Sequence, residues 1–598
     1  MADQYVSIRN LNFILHEVLN ISSLSKFDYY KDYDKDSWDM ALQAAKDIGD
    51  KHLFPSYRIM DKEKAYFKDG KVWTHPALKE GIRAIAEGGW ISSHQSYEDG
   101  GQQMPSTMVN AAQVIWYAAN ANISSHAFLT QGAANLIYSF GSKELQDSYL
   151  GQLTSGAWQG TMALTEPDAG SSLSDLTSSA EEQGDGTYKI LGQKIYISGG
   201  DTLAVDNVVH LTLARIKGAP DGTRGISLFV VPKFRSENGD LVGNDVITAG
   251  IYGKMGQKGY VATHLMMGEN ENCHGYLVGE PNKGLSYMFQ MMNEARIGTG
   301  LLAAGTASAA YYASLQYANE RVQGRLPSQK NPLSPPIKII EHADVKRMLL
   351  YQRAIVEGSI GFLMFCSRLS DVASVGSGQE KTDANNLFEI LTPIAKSYPA
   401  EWGNFSVSQA MQTLGGAGYT DDFPIEQMYR DIRVNAIYEG TTGIHGLDLL
   451  GRKVVSGNGI SFKLFIEAIQ KTAARATGDH GKKLAQLLLY EAKSLHECTL
   501  HLTGLAAKEG PDVFLADATL YLEYFALVTI GWQWLEQCIA AEKGLEQTGS
   551  SSDKDFYQGK IQTARFYFHY EIPKTRSRHM TLMGNEKITL ETKKEEIQ

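Results

Sequence analysis

Along the first quarter of the chain, apolar positions recur at three and four residues, the period of a helix with one buried face. The runs WDMALQAAKDIGDKHLFPSYRIM and HPALKEGIRAIAEGG show it, as does the stretch from Met104 to Phe140. The pattern predicts helix from Ser37 to about Thr154. Before it come a short helical arm over Ile8 to Leu19 and a Tyr/Asp/Lys-rich connector, Asp28 to Asp39. Near Gly160 the period changes to two. TYKILGQKIYISGG, NVVHLTLARI and GISLFVVPKF are β-branched and aromatic runs cut by Gly, Asp and Pro turns, so an all-β barrel or sandwich is expected to about Gly279.

Helical texture returns with GLSYMFQMMNEARIGTGLLAAGTASAAYYASLQYANERV. It breaks at the Pro-rich loop RLPSQKNPLSPP (325–336) and continues to Leu450. The Gly/Ser stretch VSGNGIS (455–461) reads as a hinge before a last helical region that holds ALVTIGWQWLEQCIAAE and a charged, frayed tail, ITLETKKEEIQ. The expected divisions are an arm (1–40), a helical domain (41–159), a β domain (160–279), a second helical domain (280–454) and an additional C-terminal helical domain (455–598). Strands never alternate with helices as a parallel nucleotide-binding sheet requires, so a dinucleotide would have to bind some other way.

Composition narrows the class. A chain of 598 residues is too long for one core, and three or four domains are expected. A net charge of −11 argues against a general nucleic-acid or anionic-membrane binder. Cys273, Cys366, Cys498 and Cys538 are scattered, with no CxxC pair or metal-ligand spacing, and read as buried thiols in a reducing compartment. The first residues lack a basic region followed by an apolar run, and no stretch approaches 18 uninterrupted apolar residues. A cytoplasmic protein, or one in an organelle matrix, without a membrane span is the expectation.

Four segments carry candidate chemistry. Met162-Ala163-Leu164-Thr165-Glu166-Pro167-Asp168-Ala169-Gly170-Ser171 ends in a turn whose N–H groups and hydroxyls can bond a heterocycle or a phosphate. Taken alone, an ordinary domain-boundary turn accounts for it better. Lys194-Ile195-Tyr196-Ile197-Ser198-Gly199-Gly200 puts an aromatic and a hydroxyl on one strand face, as any half-buried strand can. Gln412-Thr413-Leu414-Gly415-Gly416-Ala417-Gly418-Tyr419 lets a ligand approach the main chain, or simply caps a helix. It is not GxGxxG and follows no strand, so the Rossmann reading fails. In Tyr429-Arg430-Asp431 and Ile437-Tyr438-Glu439-Gly440-Thr441-Thr442-Gly443, a carboxylate sits at a loop end, where a base or a solvated glutamate would serve.

Taken together and in order, these segments resemble the acyl-CoA dehydrogenase family. TEPDAGS, KIYISGG, NEAR, QTLGGAGY and YRD…IYEGTT fall at family spacing over roughly residues 40–450. YVSIRNLNFILHEVL, LVGEPNKGL, YEGTTGIHGLDLLGRK and the extra C-terminal region resemble a long bacterial branch that includes methylmercaptopropionyl-CoA dehydrogenase-like enzymes. The resemblance implies a helical N-domain, a β middle domain and a four-helix C-domain, bound FAD, and oxidation of an acyl-CoA to a trans-2-enoyl-CoA. It implies that Glu439 removes the α-proton, with its backbone N–H polarising the thioester carbonyl. The position that serves as base in other relatives is Ala295 here, and Glu294 lies one place off.

The resemblance carries FAD contacts onto Met162, Leu164, Thr165, Gly170 and Ser171, with Tyr196 and Ser198 at the ring. Arg321, His342, Gln412, Gly415, Gly416 and Thr441 would hold the adenosine-diphosphate half, partly that of a neighbouring subunit's FAD. Ser171, Asn293, Arg296, Tyr438 and Gly440 fall on the substrate side. A homo-oligomer, a dimer by preference, and electron-transfer flavoprotein as electron acceptor are implied as well. Three departures stand out: Tyr196 for tryptophan, Gly443 for glutamine, and VQGR after the Arg321 position. An acyl-CoA oxidase and a DNA-binding flavoprotein share this fold. The second needs a basic C-terminal region, and residues 451–598 are close to neutral. A non-catalytic scaffold is disfavoured because Glu439 and the flavin-loop residues are intact.

Overall fold

The computed structural model describes residues 4–584 and 586–598, and within them all side chains but those of 289 and 290. Packing divides the chain into two units, Met40–Gly298 and a second made of Met1–Asp39 with Thr299–Gln598.

In the unit Met40–Gly298, helices α1 (Lys35–Ile48, which begins in the other unit), α2 (Ala77–Glu87), α3 (Ser106–Phe140) and α4 (Lys143–Thr154) precede the β region. The helical expectation for this stretch needs one correction. Strands β1 (Tyr66–Lys68) and β2 (Lys71–Trp73) form a hairpin across Asp69-Gly70. Both turn residues are left-handed, at φ 53° and 72°, which suits Asp-Gly in a two-residue turn.

The β region runs through β3 (Trp158–Ala163), β4 (Ser179–Glu182), β5 (Tyr188–Ser198), β6 (Asn207–Ile216) and β7 (Ile226–Pro232). A short side hairpin, β8 (Phe234–Glu237) and β9 (Asp240–Gly243), precedes β10 (Val246–Ile251), β11 (Ala262–Met267) and β12 (His274–Leu277). Strand β4 pairs with both β5 and β6, while β5, β12, β7 and β6 pair in series. Five strands thus close a ring, a small barrel filled by Ile190, Ile197, Phe229, Val231, Leu265 and Met267, with Cys273 among them. Strand β5 alternates buried and open positions as expected, but β7 is buried throughout and β6 over all but its last two residues. The reason is a second apolar layer. Leu136, Ile137, Leu145 and Leu153 of α3 and α4 pack on Val209, Leu211 and Leu228 from outside the barrel.

The second unit is helical: α5 (Gly284–Glu320, its first turns belonging to the other unit), α6 (Ala343–Val375), α7 (Gly378–Leu414), α8 (Ile425–Ile432), α9 (Thr442–Asp448), α10 (Ile460–Ala474), α11 (Asp479–Glu509), α12 (Ala518–Gln547), α13 (Ser551–Phe566) and α14 (Lys574–Met583). The mainly helical fold with a central β barrel and added C-terminal helices is therefore the one expected. Helix α6 is long and apolar enough to cross a membrane, yet 83% of its most apolar window is buried in the protein, as in a core helix. The tail expected to fray instead forms two one-turn helices, Ile588–Glu591 and Lys594–Ile597. All four cysteines are buried and free.

The N-terminal arm is fastened to this unit by buried charge. Lys560 of α13 donates to Glu357 Oε2 of α6 (2.9 Å), to Gln537 Oε1 of α12 (3.0 Å) and to Asn10 Oδ1 of the arm. Arg353 donates to the other Glu357 oxygen at 3.0 Å. Burial lowers the Lys560 ammonium to about 8 against the pull of Glu357. Burial would raise the Glu357 carboxyl, but Arg353 and Lys560 overcome it and hold it low.

Candidate active site

In the unit Met40–Gly298, two of the four segments come together. Strand β3 delivers Met162, then the chain makes a tight turn in which Glu166 and Ala169 exchange backbone hydrogen bonds at 3.0 and 3.2 Å. Strand β5 carries one extra residue against β11: Thr263 faces Ile197 and Leu265 faces Lys194, so two residues of β5 oppose His264 alone. This bulge puts Tyr196 at φ +57°. The alternation of this stretch predicts a regular strand, and the bulge departs from it. Ile195, just before that residue, donates its N–H to Thr165 O at 2.9 Å instead. The bulge is what joins TEPDAGS to KIYISGG.

A buried ion pair fastens the same junction. Lys194 Nζ donates to Glu166 Oε1 (2.7 Å), Leu213 O (2.7 Å) and Leu164 O (3.2 Å). Glu166 also accepts from Thr177 N, Thr177 Oγ1 and Ser178 N. Every lone pair has a donor, the condition for a buried pair to be tolerable. Burial pushes the Glu166 carboxyl up, but Lys194 and these hydrogen bonds outweigh it and hold the group at about 2. Burial lowers the Lys194 ammonium against the pull of Glu166.

Around this anchor the candidate ring contacts are accessible. Tyr196 is 59% exposed, its ring 4.3 Å from that of Tyr252. Met162, Leu164, Thr165 and Ser198 are half-buried, and Gly170 and Ser171 exposed. On α5, within the same unit, Asn293 is half-buried, Arg296 buried, and Glu294 exposed and bonded by Asn135 at 3.5 Å.

In the second unit, α8 and a 3₁₀ turn, Arg433–Ala436, lead to the fourth segment. Glu439 and Gly440 are both left-handed, φ +54° and +84°. A glutamate in that region is strained, and such residues concentrate at functional sites. The loop is tied on every side. His445 Nε2 donates to Glu439 O at 3.0 Å, and Lys396 Nζ of α7 donates to Gly440 O at 2.7 Å. Thr442 Oγ1 donates to Glu401 of α7, Tyr438 OH to Asn435 Oδ1 at 3.1 Å, and Thr441 caps α9 by accepting from Ile444 N. Burial raises the Tyr438 phenol, and the Glu439 charge beside it adds to the effect. Helix α9 runs so close to α12 that a Cβ on Gly446 would lie 2.8 Å from the Ala518 backbone, so the appended helices back the helix that follows Glu439.

Gln412, Gly415 and Gly416 lie exposed at the C-terminal end of α7, where Gly415 (φ +62°) breaks the helix and open space surrounds both glycines. Arg321 and His342 flank the Pro-rich loop, which a bridge between Val322 and Lys338 closes. Ile339 N donates to Arg321 O at 2.8 Å, and His342 Nε2 to Gln323 O at 2.8 Å. Sequence reading gave no role to Lys396, His445 or the Glu166–Lys194 pair. Its one available signal for Lys396 was a single lysine within the apolar run ILTPIAKSYPA.

Four family descriptions match in chain order. They are the acyl-CoA dehydrogenase N-terminal domain (36–157), its middle domain (161–268), its C-terminal domain (282–454) and the acetyl-CoA dehydrogenase C-terminal-like domain (465–593). The chain belongs to the acyl-CoA dehydrogenase family. It is 34% identical to 3-methylmercaptopropionyl-CoA dehydrogenase of Ruegeria pomeroyi, over 96% of each chain. It is 33% identical to a butyryl-CoA dehydrogenase of Syntrophomonas wolfei, over 95% of this chain and 94% of that one. The fold is also that of an acyl-CoA dehydrogenase complexed with FAD from Bacillus anthracis, with TM-score 0.73 and 20% identity over 94% and 90% of the two chains. The protein is an FAD-dependent acyl-CoA dehydrogenase. The residues that the resemblance assigns to the flavin have suitable chemistry in each unit: an exposed ring at Tyr196 and hydroxyls at Thr165 and Ser171 in one, and exposed glycines with open space at 415 and 416 in the other.

One expected result concerns the Glu166 anchor. Glu166 is depressed in the folded state, so its contribution is complete above the unfolded carboxylate range, near 4.3. That contribution is lost as pH falls through about 2. Melting of the wild type should therefore drop over this window. Glu166→Gln should melt lower at pH 7 and lose that part of the acid dependence; equal slopes in the two proteins would refute the assignment.

Proposed function

We propose that Glu439 is the base that takes the α-proton of a saturated acyl-CoA, giving a trans-2-enoyl-CoA. One observation carries this reading: Glu439 stands at a strained, left-handed position in a loop whose backbone is tied down around it. FAD, when bound, accepts the β-hydride. A thioester α-C–H is weakly acidic, so the proton leaves only while the carbonyl oxygen is stabilised. The Glu439 backbone N–H serves that oxygen. Asn293, Arg296, Tyr438, Gly440 and Ser171 line the thioester and CoA side. Met162, Leu164, Thr165, Gly170, Ser171, Tyr196 and Ser198 hold the flavin ring and pyrophosphate.

Arg321, His342, Gln412, Gly415, Gly416 and Thr441 receive the adenosine-diphosphate half. Arg321, Gln412, Gly415 and Gly416 are exposed in the single chain, as groups serving a neighbouring subunit's FAD would be, which supports a homodimer. Electrons then pass to electron-transfer flavoprotein, in a cytoplasmic setting. Anaerobic titration of the purified flavoprotein with acyl-CoAs of rising chain length tests the reading. One chain class should bleach the flavin band. A bound flavin that no acyl-CoA bleaches would refute it, and rapid peroxide formation on admitting air would move the acceptor to oxygen.

A further inference from the structure

Two consecutive left-handed residues turn the main chain sharply and aim successive carbonyls away from the turn. At Glu439 and Gly440 each of those carbonyls meets one side-chain donor. Lys396 Nζ lies 2.7 Å from Gly440 O and His445 Nε2 lies 3.0 Å from Glu439 O. A carbonyl oxygen only accepts, so His445 carries its proton on Nε2. Lys396 is fully buried on α7, between Pro393 and Pro399. Burying an ammonium costs several kcal/mol, and a methionine would fill similar space without that cost. The same helix supplies Glu401, which accepts from Thr442 on the far side of the turn. Two grips from α7 and one from α9 thus converge on residues 439–442.

We propose that Lys396 and His445 are positioning residues that hold the Glu439–Gly440 backbone left-handed, so that the carboxylate is presented to the α-carbon. The proposal rests on Glu439 being the base. Neither side chain needs to touch the reacting atoms. Each acts through a peptide carbonyl. A displacement of about 1 Å at the base is enough to slow proton transfer by about 100-fold.

The test uses the full-length holoenzyme and butyryl-CoA in deuterium oxide. It reads α-proton exchange, kcat and KM, the pH profile, flavin content and melting temperature for Lys396→Met, Lys396→Arg and His445→Leu. Lys396→Met should lose about 100-fold in the exchange rate with KM nearly unchanged, and its pH profile should shift. Lys396→Arg, which keeps a cationic donor, should recover most of the rate. His445→Leu should show a smaller loss of the same kind, and it decides the matter if the lysine variants do not fold. In a crystal structure of the affected variant, Glu439 should leave the left-handed region. Wild-type exchange in a folded variant, or a loss that follows flavin content and melting temperature and is not rescued by arginine, would overturn the proposal. If the wild type exchanges no butyryl-CoA proton, the base assignment is what has failed for this substrate. The crystal structure then decides the clamp, and an unchanged loop refutes it.

Discussion

Glu439→Gln is expected to retain its flavin, keep its melting temperature within a degree or two, and lose acyl-CoA oxidation by at least about 10³-fold. The side chain is half-buried, and Lys396 and His445 grip the backbone carbonyls of Gly440 and Glu439, which the substitution leaves in place. Glutamine has nearly the same shape and tolerates the same φ. The chemistry is what changes. A general base contributes about 10²–10⁴-fold, and an amide cannot take a proton at neutral pH. Glu294, the nearest alternative by sequence, is exposed and bonded to Asn135, so it should not rescue the variant. Stopped-flow reduction of the flavin measures the effect. A residual rate within tenfold of wild type would show that another group removes the proton.

The second large effect concerns stability. Glu357→Gln should destabilise the fold by about 3–5 kcal/mol, because it leaves Arg353 and Lys560 without the carboxylate that both contact. Lys560→Met should cost less. It fills the space with an apolar chain, and Glu357 keeps Arg353. Urea unfolding of both variants checks the order, and a costlier Lys560→Met would mean that the bond to Asn10, not the charge, holds the arm. The same network responds to acid. Glu357 is held low in the fold, so its stabilisation is complete above the unfolded range near 4.3 and is lost as pH falls below it. Glu166 acts in the same direction, and the two should make unfolding steeply acid-dependent below about pH 4.3.

Linear order carried much of this protein. The change from a period near 3.6 to a period of two marks the barrel, and five short motifs in family order mark an acyl-CoA dehydrogenase with Glu439 at its loop end. Such features are legible because each depends on neighbours within a few residues. The Asp69-Gly70 hairpin was missed, because its three-residue strands are too short to show a period against the helices around them. Packing decided the rest. Strands β6 and β7 are buried nearly end to end because helices distant in sequence lie over the barrel, so their alternation is lost.

The bulge at Tyr196 depends on register against β11, more than sixty residues later, and only that register brings Ile195 to Thr165. Lys194 and Glu166 stand inside recognised motifs, yet their pairing across 28 residues is a tertiary fact. Lys396 reaches Gly440 across 44 residues, and Lys560 reaches the N-terminal arm across 550. The sequence determined which chemistry the chain carries. The tertiary structure determined what holds it in place, because a buried charge finds its partner through the whole fold and not through its neighbours in the chain.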